Sequence, residues 1–251
     1  MLTPRFYHTW DDRRDIVIPG NYDETMSFCV HHFLDTAKAA IQNHGAFYVA
    51  LSGGSTPKAL FEHLSHPPYK DQIDWNKVHL FWSDERSVPP TDPDNNYKMA
   101  IDAGLGNVGI PIGQIHRMQA ETDIEKNAEL YEKTIREEMQ NGCFDLIMLG
   151  MGEDGHTASL FPGTLGLQEN KKLVVANHIP QKNTWRMTFT YPCIHSAKHI
   201  VIYVLGASKK EMVKKVLSSS DAHFPIQMIG TREHKALWIC DGAAASSLTE
   251  K

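Results

Sequence analysis

Apolar positions along this chain fall into two rhythms. Short, almost uninterrupted runs recur at AFYVAL (46–51), VHLFW (78–82), FDLIML (144–149), HIVIYVL (199–205) and ALWIC (236–240). Runs of that length, rich in β-branched and aromatic residues, read as strands buried on both faces. Between them lie longer stretches with helical spacing at 22–42, 57–65, 95–103, 123–140 and 208–217. Strand and helix in alternation predict an α/β fold, a mostly parallel twisted sheet with helices on both faces in the Rossmann-like manner. RMTFTY (186–191) instead alternates apolar and polar residues. That pattern predicts an edge or mixed strand and leaves room for a small mixed or antiparallel extension. With no internal repeat, low-complexity segment or Gly/Ser linker, a single domain over 1–251 is the simpler reading.

Four of the apolar runs end in polar turns: SGGSTP (52–57), SDER (83–86), GMGEDGHT (150–157) and GASKK (206–210). Ligands of open parallel sheets bind outside the carboxyl ends of the strands. The strand assignments alone therefore predict that these four turns converge on one crevice.

Composition narrows the partner. The 251 residues are 41% hydrophobic and 22% charged, the balance of an ordinary globular chain. Cys29, Cys143, Cys193 and Cys240 are scattered with no CxxC pair, which argues against a disulfide framework or a structural zinc site and suits a reducing cytosol. The opening MLTPRFYHTWDDRRD lacks the apolar core of a signal peptide, and no run approaches membrane-spanning length. Net charge is −5 without a basic block, so nucleic acid is not the expected partner. The expectation is a soluble cytoplasmic protein.

The turn Ser52-Gly53-Gly54-Ser55-Thr56-Pro57 pairs two glycines with two hydroxyls and a proline suited to the first helical position. A helix start with unspent N–H donors favours an anion such as phosphate, though the same residues also suit a plain capped turn. The Walker A spacing is absent, which points to a small phosphorylated molecule rather than a nucleoside triphosphate. In Ser83-Asp84-Glu85-Arg86, Arg86 suits a planar anion, and Asp84 could orient a substrate hydroxyl or a neighbouring side chain. A solvated loop is the other reading. The following PPTDPDNNY (89–97) reads as a rigid loop ending at an Asn cap.

Gly150-Met151-Gly152-Glu153-Asp154-Gly155 matches GxGxxG, but a dinucleotide site also needs a helix behind the motif and an acid about 20 residues on. Pro162 and Gly163 cut the following segment short, and Leu173-Val174-Val175-Ala176 occupies the acid's place. The informative residue is His156. An imidazole at a strand mouth is a natural general base, and Asp154 is placed to hold its tautomer. Lys209 and Lys210 open a helix after Gly206, and either ammonium could sit over a phosphate; both could equally be surface lysines. Arg186 is a second candidate cation. In a net negative chain, an anion must be attracted by such local charges. His63-x-x-His66 lacks a third ligand nearby, His31-His32 has no partner pattern, and no G-x-S-x-G elbow is present.

Together these residues resemble the 6-phosphogluconolactonase family, whose fold is shared with glucosamine-6-phosphate deaminases. The matching segments are LSGGSTPKALFEHL (51–64), HLFWSDERSVPPTDPDNNYKMA (79–100), FDLIMLGMGEDGHTASLFPG (144–163) and WRMTFTYPCI (185–194). The LFPG tail is typical of lactonases, whereas deaminases continue toward an Asn-Glu-Pro segment absent here. Ser208 replaces a glycine of the family's Gly-x-Gly-Lys turn, and strand-end spacing favours Lys209 over Lys210. The resemblance implies hydrolysis of 6-phospho-D-glucono-1,5-lactone, with His156 activating water and Asp154 orienting it. It implies that Gly53, Gly54, Ser55 and Thr56 cradle the anion, with Asp84 nearby and Arg86, Arg186 and Lys209 supplying positive charge. It implies no metal and no organic cofactor. The expected partner is a small phosphorylated sugar lactone, with no nucleic acid or membrane, for a chain that is a monomer or a weak homodimer. The rival reaction is aldose–ketose isomerisation with deamination of an amino-sugar phosphate.

Overall fold

The computed structural model describes residues 7–139, 143–218 and 223–248. Two short strands, β1 (Tyr7–Thr9) and β2 (Arg14–Val17), precede helix α1 (Tyr22–His44). The chain continues through β3 (Phe47–Leu51), α2 (Ser55–Leu64), β4 (Val78–Trp82), β5 (Asp84–Arg86), α3 (Asn96–Asp102) and α4 (Ile124–Glu138). Then come β6 (Leu146–Gly150), β7 (Val174–Ile179), β8 (Thr184–Phe189), α5 (Tyr191–His195), β9 (His199–Val204), α6 (Lys210–Ser218) and β10 (Ala236–Cys240).

All five predicted apolar runs enter a seven-stranded sheet of order β1-β2-β10-β9-β6-β3-β4. Every neighbouring pair from β2 to β4 is parallel, and only β1 runs antiparallel at its edge. Successive residues of a strand face opposite sides of a sheet, so near-complete burial of β3, β6 and β9 means that both faces are covered. The α1 helix starts at a reciprocal cap: Asn21 Oδ1 accepts from the Glu24 N–H at 3.0 Å, and the Glu24 carboxylate accepts from the Asn21 N–H at 2.9 Å. It ends at Gly45, whose φ of 89° only glycine adopts freely. Its buried stripe, Met26, Val30, Phe33, Leu34 and Ala37, keeps helical spacing and sets Phe33 edge-on against Phe47 of β3. Among the described residues, no helix is long and apolar enough to cross a membrane.

The order of strands places a topological switch between β3 and β6. From β3 the chain steps outward to β4, and it later resumes on the other side through β6, β9 and β10. The loops leaving β3 and β6 therefore diverge and open a crevice at their carboxyl ends.

Several sequence expectations need correction. SDER does not end its strand in a plain turn: Asp84–Arg86 forms β5, the edge of a second sheet of order β5-β8-β7, all antiparallel. The predicted RMTFTY strand is β8 in the middle of that sheet, and the stretch near 174 is its third member. Helix α2 begins at Ser55, so Pro57 sits at the third helical position, where its missing N–H still costs no ladder bond. Lys209 closes a 3-10 turn, Ala207–Lys209, and only Lys210 opens α6.

Candidate active site

The crevice at the switch point is lined by Ser52, Gly53, Gly54, Asp84, Arg86, Gly150, Met151, Gly152, His156, Ala158 and Arg186. Three of the four predicted turns thus supply its walls, and the small sheet supplies its cations. The fourth turn reaches it through Lys209, whose Nζ donates to the Met151 carbonyl at 2.9 Å. Lys210 is exposed at the start of its helix.

His156 sits in a tight turn after β6. The Gly152 N–H donates to the His156 carbonyl at 2.9 Å, and Gly155 adopts a φ of 74°. A Cβ on Gly152 would lie 2.0 Å from His156 Nδ1, so the ring occupies the space that a side chain there would need. The imidazole stacks on Phe161 with ring centres 3.8 Å apart, and its Nδ1 meets Asp154 Oδ1 at 2.5 Å. Burial alone would raise the Asp154 pKa, but the hydrogen bonds and charge of His156 outweigh it and hold the carboxyl below its usual range. An ionised carboxylate only accepts hydrogen bonds, so the ring proton resides on Nδ1 and the lone pair on Nε2. Burial pushes the His156 pKa down, and Asp154 offsets this only in part. At neutral pH the imidazole is therefore an available base.

The cations are held by the β5–β8 ladder, where Arg86 and Arg186 are cross-strand partners. Arg86 Nη1 donates to the Asp94 carbonyl at 2.5 Å, which ties the Pro-rich loop to the crevice wall. Arg186 Nη1 lies 3.9 Å from Asp84 Oδ2 and 3.5 Å from Ser159 Oγ. Each guanidinium leaves a buried Nε without a hydrogen bond. Asp84 is heavily engaged: it accepts from Ser159 Oγ at 2.6 Å and, through both its Oδ1 and its carbonyl, from Asn96 Nδ2 at 3.2 and 3.0 Å. Asn96 also packs against Gly53, where a Cβ would come within 2.0 Å of Asn96 Oδ1.

Glu85, between Asp84 and Arg86, points away from the crevice and is fully buried. Its carboxylate accepts from the N–H groups of Arg86 at 2.8 Å, Asn96 at 2.8 Å and Tyr97 at 2.9 Å, fastening β5 to the first turn of α3. Burial nevertheless pushes its pKa up to about 7. The predicted Asn95 cap is present, with Asn95 Oδ1 accepting from the Lys98 N–H at 2.8 Å.

Not every predicted residue faces the cavity. Ser55 is exposed and Thr56 half-buried on the first turn of α2, outside the lining. Their N–H groups, with that of Gly54, open the helix and are not spent on its ladder. Asp154 lies behind His156. Sequence reasoning missed Ser159, Thr188 and Ala158. Ser159 fastens the loop after β6 to the small sheet, its N–H donating to Thr188 Oγ1 at 3.1 Å, and Ala158 holds a φ of 47° that nothing in its residue type announces. GxGxxG leads into no helix, as its flanking residues predicted. Among the described residues, the one group of three His, Cys, Asp or Glu donors placed to share an ion is His79, His116 and Glu138, outside this crevice.

Residues 20–238 match the family model described as glucosamine-6-phosphate isomerases/6-phosphogluconolactonase. A relative named 6-phosphogluconolactonase from Chlamydia muridarum (strain MoPn / Nigg) is 40% identical over 230 residues, 91% of this chain and 88% of that one. Another of that name from Chlamydia pneumoniae is 43% identical over 211 residues, 82% of this chain and 80% of that one. The solved 6-phosphogluconolactonase from Trypanosoma cruzi superposes with a TM-score of 0.83 at 25% identity, covering 98% of this chain and all of the other.

Proposed function

The chain belongs to the glucosamine-6-phosphate isomerase/6-phosphogluconolactonase family, and we propose that His156 is the base with which its crevice hydrolyses 6-phospho-D-glucono-1,5-lactone. The overall reaction is that of its relatives, lactone opening to 6-phospho-D-gluconate in the pentose phosphate pathway. The observation carrying the residue assignment is the Nδ1 bond to Asp154, which turns the basic Nε2 free.

In this reading Nε2 takes a proton from water as its oxygen attacks C1, a step of general-base catalysis with a usual effect of ~10²–10⁴-fold. The oxyanion formed at C1 is stabilised by the amides that open α2, a contribution of ~3–4 kcal/mol for each well-aimed donor. When the intermediate collapses, the C1–O5 bond breaks and the imidazolium returns its proton to the ring oxygen. Asp154 stays ionised and keeps the ring oriented throughout. Arg86, Arg186 and Lys209 grip the remote phosphate, so binding energy far from the carbonyl also fixes the reacting distance. Asp84 acts on the substrate through Arg186, as the acceptor that positions it.

One domain over 1–251 carries this site, since the residues involved run from Gly53 to Lys209. A monomer or a weak homodimer remains the proposed state. Four cysteines without disulfide partners are compatible with a cytoplasmic setting. The test is turnover of freshly made 6-phosphogluconolactone above its spontaneous hydrolysis, compared between wild type and His156→Ala. Equal rates in the two would overturn the base assignment. Turnover of glucosamine 6-phosphate alone would overturn the substrate.

A further inference from the structure

A second cluster of chemistry-bearing side chains lies at the edge of the large sheet. His79 belongs to β4, which pairs with β3 on one side and meets a single parallel bridge, Leu80 to Ile115, on the other. His116 lies on the segment running beside β4, fixed there because its N–H donates to the Leu80 carbonyl at 2.8 Å and its carbonyl accepts from Tyr131 Oη at 2.9 Å. Glu138 is the last residue of α4. His79 Nδ1 is 3.5 Å and His116 Nε2 4.0 Å from the same oxygen, Glu138 Oε2. The two imidazoles are parallel within 7°, and they are walled by Tyr48 on the side of His79 and by Phe81 on the side of His116.

We propose that His79, His116 and Glu138 form a binding site for one divalent transition-metal ion of the zinc class, with two imidazole nitrogens, one carboxylate oxygen and water as its ligands. Their three donor atoms all lie within 4.8 Å of one another. A tetrahedral ion with bonds of ~2.0–2.1 Å sets its ligands roughly 3.3 Å apart. Glu138 Oε2, now 3.5 and 4.0 Å from the two nitrogens, must therefore close on them by less than about 1 Å, and the widest pair of donors, within 4.8 Å, by up to about 1.5 Å. The independent observation is that His79 Nδ1 and His116 Nε2 are both buried and make no hydrogen bond, a state that buried polar atoms rarely keep. Two nitrogens with one oxygen select zinc, cobalt or nickel over calcium and magnesium, which prefer oxygen shells. Glu138 also borders a cavity that it shares with Tyr48 and His44, which gives water and the ion a way in. Bound there, the ion ties β4 and the segment beside it to the end of α4. The site stands independently of the lactonase assignment.

The experiment titrates the metal-stripped full chain with Co²⁺ alone and reads its visible d–d absorption. Expected is one equivalent giving the bands of a four- or five-coordinate ion, displaced by Zn²⁺. His79→Gln and His116→Gln should each weaken binding by roughly tenfold or more. Glu138→Gln, at a half-exposed helix end, should weaken it as well while leaving the circular dichroism and the lactonase rate unchanged. His156→Ala should bind Co²⁺ as wild type does. No stoichiometric binding, binding that survives in Glu138→Gln, or binding lost in His156→Ala would each overturn the proposal.

Discussion

Arg86 and Arg186 face each other directly across the antiparallel β5–β8 ladder, and both side chains line the same crevice. Like charges so placed repel, and each guanidinium keeps a buried Nε without a hydrogen bond. A phosphate dianion relieves both conditions at once. Inorganic phosphate or 6-phosphogluconate should therefore raise the melting midpoint of wild type in proportion to occupancy. Arg86→Ala and Arg186→Ala should lose most of that rise and increase KM by roughly tenfold or more. Thermal shifts against ligand concentration check this, and equal shifts in all three proteins would remove the arginines from the phosphate site.

Asp154 and His156 make a prediction in pH. As the proposed base the imidazole must be neutral to act, and burial holds its pKa below the ordinary histidine range, so kcat/KM should stay level through neutrality and fall only in acid. Asp154 works in the opposite direction, raising the His156 pKa. Asp154→Asn should thus move the acid limb to lower pH while lowering the plateau by about 10²-fold or more, since the tautomer is no longer held. A limb that stays put in the variant would show that another group titrates.

Gly152→Ala tests the packing of the His156 ring, the proposed base, without removing it. The backbone of Gly152 is not in the left-handed region, so alanine is admitted there. Its methyl group would lie 2.0 Å from His156 Nδ1 and 2.1 Å from Cε1. The ring must move, and a shift of about 1 Å in a reacting group costs ~10²-fold. Expected is a kcat lowered to that degree with a melting curve close to wild type; unchanged kcat would mean that the turn simply yields.

The large sheet was legible because strands buried on both faces write continuous apolar runs. β5 and the N-terminal strands were not, since segments of three or four largely polar residues are too short to carry a period. Arg86 and Arg186 stood out as separate cations, but their pairing joins segments a hundred positions apart and depends on a register that no local pattern fixes. Glu85 read as one charge in a solvated loop, yet it is buried, with three backbone amides offsetting part of the cost. Ser55 and Thr56 looked like cavity hydroxyls because the helix start was placed two residues late. Histidine spacing drew attention to His63 and His66, whereas the real convergence at 79, 116 and 138 exists only in the folded chain.

The two lysines after β9 should separate cleanly. Lys209 is half-buried with its ammonium bonded to the carbonyl of Met151, a residue of the crevice lining, and Lys210 is exposed. Lys209→Ala should raise KM by roughly tenfold, the usual scale of one charge-assisted contact, while Lys210→Ala stays near wild type. Steady-state kinetics with the lactone decides between them, and indistinguishable variants would detach both lysines from the substrate.

Glu85 predicts an unusual slope in stability. Its native carboxyl keeps its proton up to about 7, whereas the unfolded chain releases it in the ordinary carboxylate range. Between those values the folded state binds more protons, so stability falls as pH rises, by a total on the order of 3 kcal/mol. Urea midpoints at pH 5 and pH 8 should show wild type losing ground relative to Glu85→Gln, whose side chain does not ionise. Parallel behaviour of the two would place the proton elsewhere.

The alternation along β5 has a further consequence. Asp84 and Arg86 look into the crevice while Glu85 turns its back on it, and three residues are all that carry this arrangement. Sliding that short segment by a single step against β8 would present a carboxylate where a guanidinium now stands, and the pocket would repel the phosphate proposed for it. The share of the cleft's charge that β5 supplies is thus written in the phase of one tripeptide, and the three amides that clamp its buried acid to a neighbouring helix hold that phase.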